Sequence, residues 1–238
     1  MRVQPVALTF QQWVEYVFDR PLSDPAWYWS HDEDGEDLNW WQPDPTTLVD
    51  YLTRLFEEPA FLADRYTPEQ LNQGFWFLFY VGSEYFGGRY NVLYNASLPK
   101  SQRLRMVRSC LSLYEKLFAR VCSNSLSHLN EPGHPLNLAC YMWWDLGGLT
   151  PVADPQGPHE AVLQDVVDID HAKLDVLREA LAVPSVACQE SALHGLGHFR
   201  AYYRREVEDI VTDFLARHPG LRSELSEYAA KARSGAIL

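Results

Sequence analysis

The chain has 238 residues, of which 47% are hydrophobic, and a formal net charge of −12. A chain of this length can bury a sizeable core, and its apolar content excludes general disorder. Nucleic-acid phosphates and anionic lipid repel an acidic protein. The charge therefore argues against a nucleic-acid or membrane partner, and favours a basic protein partner or no electrostatic partner at all.

The cysteines and the apolar segments bear on the compartment. Because no two cysteines form a CxxC pair, a zinc knuckle is not expected, and apolar helical contexts predict that the thiols are small core residues. Residues 1–5 lack the apolar run of a secretory signal, and no apolar stretch reaches the length of a membrane-spanning helix. We therefore expect a cytoplasmic protein with reduced thiols. The four cysteines are Cys110, Cys122, Cys140 and Cys188.

Helical periodicity dominates the first part of the chain. Thr9 is a predicted N-cap, and Thr67 is another because Pro68 and Gln70 follow it at the positions that favour a helix start. The short apolar helix near residue 140 contains the pair Trp143-Trp144. Adjacent residues on a helix point about 100° apart, so core packing and an exposed interface anchor both stay open for this pair. The predicted helices cover residues 10–18, 46–57, 68–79, 99–122 and 136–146.

A long loop over residues 20–45 interrupts this pattern. Its tip is acidic and tryptophans flank it. An EF-hand is excluded, because alignment on Gly35 places Trp41 where the motif requires a glutamate. A loop of this length is often functional, so a recognition loop for a basic partner and a solvated connection are the two interpretations. The candidate binding residues are Asp32, Asp34, Asp37, Trp40 and Trp41.

Glycine and proline cluster in residues 147–158, which we interpret as a linker between an N-terminal helical region (1–146) and a C-terminal region (159–238). One continuous domain is the alternative. After residue 158 the helical periodicity continues in shorter segments. Nowhere does the sequence show the alternating pattern with hairpin turns that is typical of β-strands, so it predicts an all-α fold. These C-terminal helices are predicted near residues 159–168, 171–182, 185–197, 200–217 and 221–232.

The segment from Ile169 to Phe199 resembles a HEAT-type helical repeat. A helix with Leu174, Leu177 and Leu181 is followed by a turn at Pro184 and then by the pattern Val186-x5-Ala192-x3-Leu196-Gly197. The family's usual Asp-x-Val-Arg is replaced here by Ser185-Val186-Ala187. The resemblance covers about the last third of the chain. It implies a HEAT-like or α-solenoid-like array of helical hairpins, with an extended surface for other macromolecules.

Two further groups of residues carry possible chemistry. Glu190, His194 and His198 are spaced four and four, so they share one side of a helix, and two imidazoles with a carboxylate can bind a metal ion. Further ligands, such as His159 or His171, would then be needed. A capped helix with histidines near its C-terminal dipole is the structural alternative. The basic residues Lys100, Arg103, Arg105 and Arg108 are interpreted as a solvated helix face.

The sequence shows no nucleophile elbow, P-loop or dinucleotide fingerprint. The leading interpretation is a non-catalytic helical scaffold that binds a protein, without metal or cofactor. An immunity or inhibitor protein with an acidic binding surface is one concrete form of it. The alternative is a metal-dependent enzyme centred on Glu190, His194 and His198.

Overall fold

A computed structural model of the chain describes residues 7–29, 43–80, 92–145, 149–151 and 164–237. These ranges contain helices and turns without any strand, so the all-α prediction is confirmed. Within the same ranges, no helix is both long enough and apolar enough to cross a lipid bilayer.

The N-terminal helices begin where the sequence predicts. The Thr9 hydroxyl accepts the backbone N–H of Gln12, and the Gln12 side chain accepts the backbone N–H of Thr9 at 2.9 Å. Thr67 and Gln70 make the same reciprocal pair. Both predicted N-caps are therefore confirmed. The helices are α1 (Phe10–Phe18), α2 (Pro45–Glu57), α3 (Ala60–Arg65), which the sequence did not predict, and α4 (Pro68–Tyr80).

The predicted run over 99–122 forms one rod with an unpredicted π-helical turn in its middle. It consists of α5 (Lys100–Leu113), the turn Tyr114–Phe118 and α6 (Ala119–Val121). The chain then passes through α7 (Leu136–Tyr141) into a 3₁₀ turn over Met142–Trp144.

The C-terminal part contains α8 (Gln164–Ala180), α9 (Val186–Phe199), α10 (Arg204–Arg217) and α11 (Ser223–Ser234). The prediction of separate helices over 159–168 and 171–182 is wrong, because α8 runs unbroken between them. Asp170 and Lys173, one turn apart, form an ion pair inside α8, both fully buried. Burial lowers the pKa of Lys173. The Pro184 turn is present, and Ser185 caps α9.

Helix α9 is the centre of the fold. It packs against α7, α8, α10 and α11, and its residues from Ala187 to Gly197 are all buried. Small residues permit this, because an added Cβ at Gly197 would lie 2.5 Å from Ile237. Gly197 therefore packs directly against the segment that follows α11, where a larger side chain would not fit. The repeat arrangement implied by the HEAT resemblance stays a prediction.

Helices from both predicted regions pack against each other. Helix α5 contacts α8, and α7 contacts α9. Of the predicted linker, only residues 149–151 lie within the described ranges.

The basic residues on α5 are only in part a solvated face. Arg105 and Arg108 are exposed, as the sequence-based interpretation expects, whereas Arg103 is buried, which corrects that interpretation for this residue. The Arg103 side chain is only 3% exposed, and it donates to Asp165 at 2.6 Å and to the Leu93 carbonyl at 3.2 Å. Lys100 pairs with Asp168. The acidic start of α8 attracts these two cations, so Lys100 and Arg103 join α5 to α8.

Both tryptophans of the Trp143-Trp144 pair are buried, which settles the open question in favour of core packing. They sit on a 3₁₀ turn between the N-terminal helices and α9, so each ring has a neighbour. Trp143 packs edge-on against Phe56, while Trp144 stacks on Tyr114.

Three of the cysteines have the expected core role. Cys110, Cys140 and Cys188 are buried free thiols, and Cys122 is partly exposed. Burial raises the pKa of the Cys110 thiol to about 12, which makes this thiol unreactive at neutral pH.

Candidate metal centre

Two histidines one turn apart on α9 form the base of the site. His194 and His198 are four residues apart, so their side chains lie on the same face of the helix. Their Nε2 atoms are 3.3 Å apart. Because α9 is held by neighbouring helices on several sides, this face has little freedom to move.

Asp145 brings a carboxylate to the same point. It follows the 3₁₀ turn Met142–Trp144, and its Oδ1 lies 3.1 Å from Nε2 of His198. Its Oδ2 lies 3.9 Å from Nε2 of His194. One donor atom from each of the three residues falls within 4.8 Å of the others. We call Asp145, His194 and His198 the triad.

Gly195 allows the carboxylate to come this close. A Cβ added at Gly195 would lie 2.7 Å from Cγ of Trp144 and 2.9 Å from its Cβ. Trp144 therefore rests directly on the backbone of α9. Since Asp145 is the next residue in the chain, this contact sets its distance from the two imidazoles.

The triad is partly open to solvent. The side chain of His194 is 3% exposed, whereas those of His198 and Asp145 are 19% and 28% exposed. The two neighbouring imidazoles, His194 first and then His198, hold the pKa of the Asp145 carboxyl well below its usual range. The carboxylate is therefore ionised at neutral pH and faces two imidazoles.

Helix α11 supplies a second layer. The Nδ1 atom of His194 lies 2.7 Å from the hydroxyl of Tyr228, and that hydroxyl lies 3.0 Å from the hydroxyl of Tyr141. Tyr228 is 2% exposed. Burial and its bond to Tyr141 raise the pKa of Tyr228, so the phenol stays neutral.

Glu190 does not join the two histidines, although the sequence groups all three on one helix side. Its fully buried carboxylate accepts the backbone N–H groups of Ser127 and His128, both at 3.0 Å. It also pairs with Nδ1 of His128 at 2.6 Å. Asp145 takes the third place instead. The Glu190 side chain lies one turn before His194, where the turn at residues 127–129 covers it.

The other suggested ligands lie elsewhere. His171 packs edge-on against Tyr203, at a ring separation of 5.5 Å, and is not part of the triad. His159 falls outside the described ranges.

The acidic tip of the proposed recognition loop lies outside the described residues. Asp32, Asp34, Asp37, Trp40 and Trp41 all lie outside the described residues, so a basic protein partner for this loop stays a prediction. The preceding Trp27 is described, and its ring lies 4.6 Å from that of Phe77.

Sequence reasoning missed Asp145, Tyr228 and His128. Asp145 follows an apolar segment, and nothing in its sequence context identifies it as a metal ligand. Tyr228 lies on an amphipathic helix, where the pattern predicts core packing. The four-residue spacing of His194 and His198 is the part of the site that the sequence does show.

Comparisons of the chain with protein-family models, with curated proteins and with solved structures give no match. We therefore infer a function from the geometry of the triad. Two imidazoles and one carboxylate are a common ligand set for catalytic zinc and for non-haem iron.

Proposed function

We propose that the protein binds one divalent transition-metal ion through Asp145, His194 and His198, and that it is a metal-dependent enzyme. The observation that carries this proposal is the convergence of one carboxylate oxygen and two imidazole nitrogens within 4.8 Å. This is the enzyme interpretation that the sequence left as an alternative, with Asp145 in place of Glu190.

The donor spacing supports binding without a large rearrangement. Metal–ligand bonds of about 2.0–2.1 Å at tetrahedral angles place neighbouring donors about 3.3 Å apart. The observed separations are 3.3 Å between the two Nε2 atoms and 3.1 Å between His198 and Asp145. The other carboxylate oxygen, Oδ2, lies 3.9 Å from Nε2 of His194, so the carboxylate must rotate to bring a single oxygen within reach of both imidazoles.

Proton positions favour a cation as well. Nε2 of His198 lies within hydrogen-bond distance of both the Asp145 carboxylate and Nε2 of His194. A neutral imidazole has one N–H, so one proton is shared between two acceptors when His194 is protonated on Nδ1. A divalent ion satisfies all three lone pairs at once.

The ligand set limits the kind of ion. Imidazole nitrogen suits zinc, iron and copper, whereas magnesium and calcium prefer oxygen ligands. Three protein ligands leave open positions on the ion, and the partly exposed Asp145 and His198 leave a route for water. A bound ion would polarise that water or a substrate oxygen. Zinc would make the site hydrolytic, and Fe²⁺ would make it oxygen-activating.

The test is metal binding by the purified protein. We expect one equivalent of Zn²⁺, Fe²⁺ or Mn²⁺ by elemental analysis, or one-to-one binding of added ion after treatment with a chelator. His198→Ala and Asp145→Asn should each abolish tight binding. Affinity should also fall as the pH is lowered, because the imidazoles must be unprotonated to bind the ion.

A matched control separates the triad from adventitious binding. His171→Ala removes an exposed histidine outside the triad and should leave the affinity unchanged. If the protein binds none of these ions, or if His198→Ala binds them as the unaltered protein does, the proposal is wrong. The ion identified then selects between hydrolytic and oxygen-dependent substrates for activity assays.

A further inference from the structure

Tyr228 lies between the triad and a second buried polar group. Its hydroxyl contacts Nδ1 of His194 at 2.7 Å, and its ring stacks on the ring of His128 with centroids 4.0 Å apart and planes 17° apart. Nδ1 of His128 in turn contacts the Glu190 carboxylate at 2.6 Å. A continuous path therefore runs from Glu190 to His194 through two aromatic rings.

We propose that Tyr228 is a positioning residue for the metal ligand His194, and that Glu190 holds Tyr228 in place through the ring of His128. The inference rests on the proposed metal site. It gives Glu190 a role in that site without making it a ligand.

The tautomer of His194 is the first step. Nε2 faces Asp145 and His198, so this atom must carry the lone pair that binds the ion, and the proton must be on Nδ1. The nearest acceptor for that proton is the Tyr228 oxygen. The phenol proton is then directed to the hydroxyl of Tyr141, 3.0 Å away. An acceptor that holds the second N–H of a metal-bound imidazole fixes both its tautomer and its orientation.

The position of Tyr228 is the second step. The Glu190 carboxylate accepts three hydrogen bonds, two from the backbone of the turn at residues 127–129 and one from the ring of His128. A carboxylate without a proton can only accept, so it fixes the proton of His128 on Nδ1 and the plane of that ring. The ring of His128 lies flat against the ring of Tyr228 and so limits the directions in which the Tyr228 hydroxyl can point.

The arrangement explains why Glu190 and His194 share one side of α9. The two side chains are one turn apart on the same helix, yet they communicate through residues of the turn at 127–129 and of α11. Glu190 therefore ties two separate segments of the chain, the turn at residues 127–129 and α11, to the ligand-bearing face of α9.

Tyr228→Phe tests the first step. The substitution keeps the ring that stacks on His128 and removes the oxygen that accepts from His194. We expect Co²⁺ affinity, measured by titration of chelator-treated protein, to fall about 10- to 100-fold, as for loss of an outer partner of a metal-bound histidine. The control is Tyr66→Phe, because the buried hydroxyl of Tyr66 has no hydrogen-bond partner among the described residues.

A spectroscopic signature separates positioning from general destabilisation. In the Co²⁺ protein, each ligand imidazole should give one exchangeable, paramagnetically shifted N–H signal. Tyr228→Phe at saturating Co²⁺ should make one of the two signals exchange faster with solvent, while Tyr66→Phe should change neither.

His128→Ala tests the second step. It removes the ring between Glu190 and Tyr228 but leaves Glu190 its two backbone donors. We expect a smaller loss of Co²⁺ affinity than in Tyr228→Phe, and none in the control His218→Ala, whose ring packs on Phe214 just after α10 and is not part of the triad. An unchanged affinity in a folded His128→Ala variant would remove Glu190 and His128 from the proposal.

The outcomes for the two proposals are distinct. If the unaltered protein does not bind Co²⁺, the metal site and the positioning role are both wrong. If the unaltered protein binds Co²⁺ and Tyr228→Phe binds it with the same affinity and the same N–H signals, only the positioning role is wrong.

Discussion

Gly195→Ala tests whether the contact between Trp144 and the backbone of α9 sets the geometry of the triad. Gly195 is in the interior of α9, and an added Cβ would lie 2.7 Å from Cδ2 of Leu177 and 2.7 Å from Cγ of Trp144. Ordinary van der Waals contact begins near 3.4 Å, so these atoms must move by about 0.7 Å.

Two effects of opposite sign decide the stability of the variant. Alanine in a helix interior is favoured over glycine by about 0.5–1 kcal/mol. Overpacking of a filled core costs about 1–3 kcal/mol. Leu177 can rotate its terminal methyl group away, but the Cβ and Cγ atoms of Trp144 can move only with the backbone of the 3₁₀ turn. We therefore expect a net loss of about 1–2 kcal/mol in the free energy of unfolding.

The same shift should displace Asp145, which follows Trp144 in the chain. Metal affinity should then fall together with stability. Urea denaturation followed by circular dichroism measures the loss of stability, and Co²⁺ titration of the folded variant measures the loss of metal affinity. Gly220→Ala is the control, because an added Cβ there meets no atom within 4 Å. A Gly195→Ala variant that is stabilised by about 0.5–1 kcal/mol, as an unhindered helical position would be, refutes this reasoning.

Three further predictions concern the core and its charges. Arg103→Ala should lower the free energy of unfolding by about 1–3 kcal/mol, because the buried guanidinium holds Asp165 and a backbone carbonyl. Arg105→Ala on the same helix should have little effect, since its side chain is 66% exposed; equal losses in chemical denaturation would contradict the burial of Arg103. Ala192→Leu should cost about 1–3 kcal/mol by overpacking α9, and an unchanged melting temperature would place that face in solvent. In metal-free protein, the pKa of Asp145 is lower in the folded state than in the unfolded chain, so the unfolded chain takes up a proton at this carboxylate more readily than the folded protein does. The stabilising contribution of the Asp145 carboxylate should be lost as the pH falls from its ordinary pKa of 3.8 towards its lower pKa in the folded protein. Acid titrations of Asp145→Asn should lack this part of the pH dependence.

The sequence alone determined the parts of this protein that depend on neighbouring residues. The helix starts at Thr9 and Thr67 follow from side chains three residues away, and the shared face of His194 and His198 follows from the helical repeat. These interactions are complete within one or two turns, so no knowledge of the rest of the chain is needed.

Only the tertiary structure decided which groups complete the site. Asp145 reaches the two imidazoles because Trp144 packs on a residue without a side chain, and Tyr228 reaches His194 from another helix. The sequence pattern grouped Glu190 with the histidines, but three donors from residues 127 and 128 hold its carboxylate elsewhere. Arg103 shows the same limit, since a cation on a periodic helix is expected in solvent until a partner such as Asp165 packs against it. Contacts between segments distant in sequence depend on how whole helices pack, and a local pattern does not contain that information.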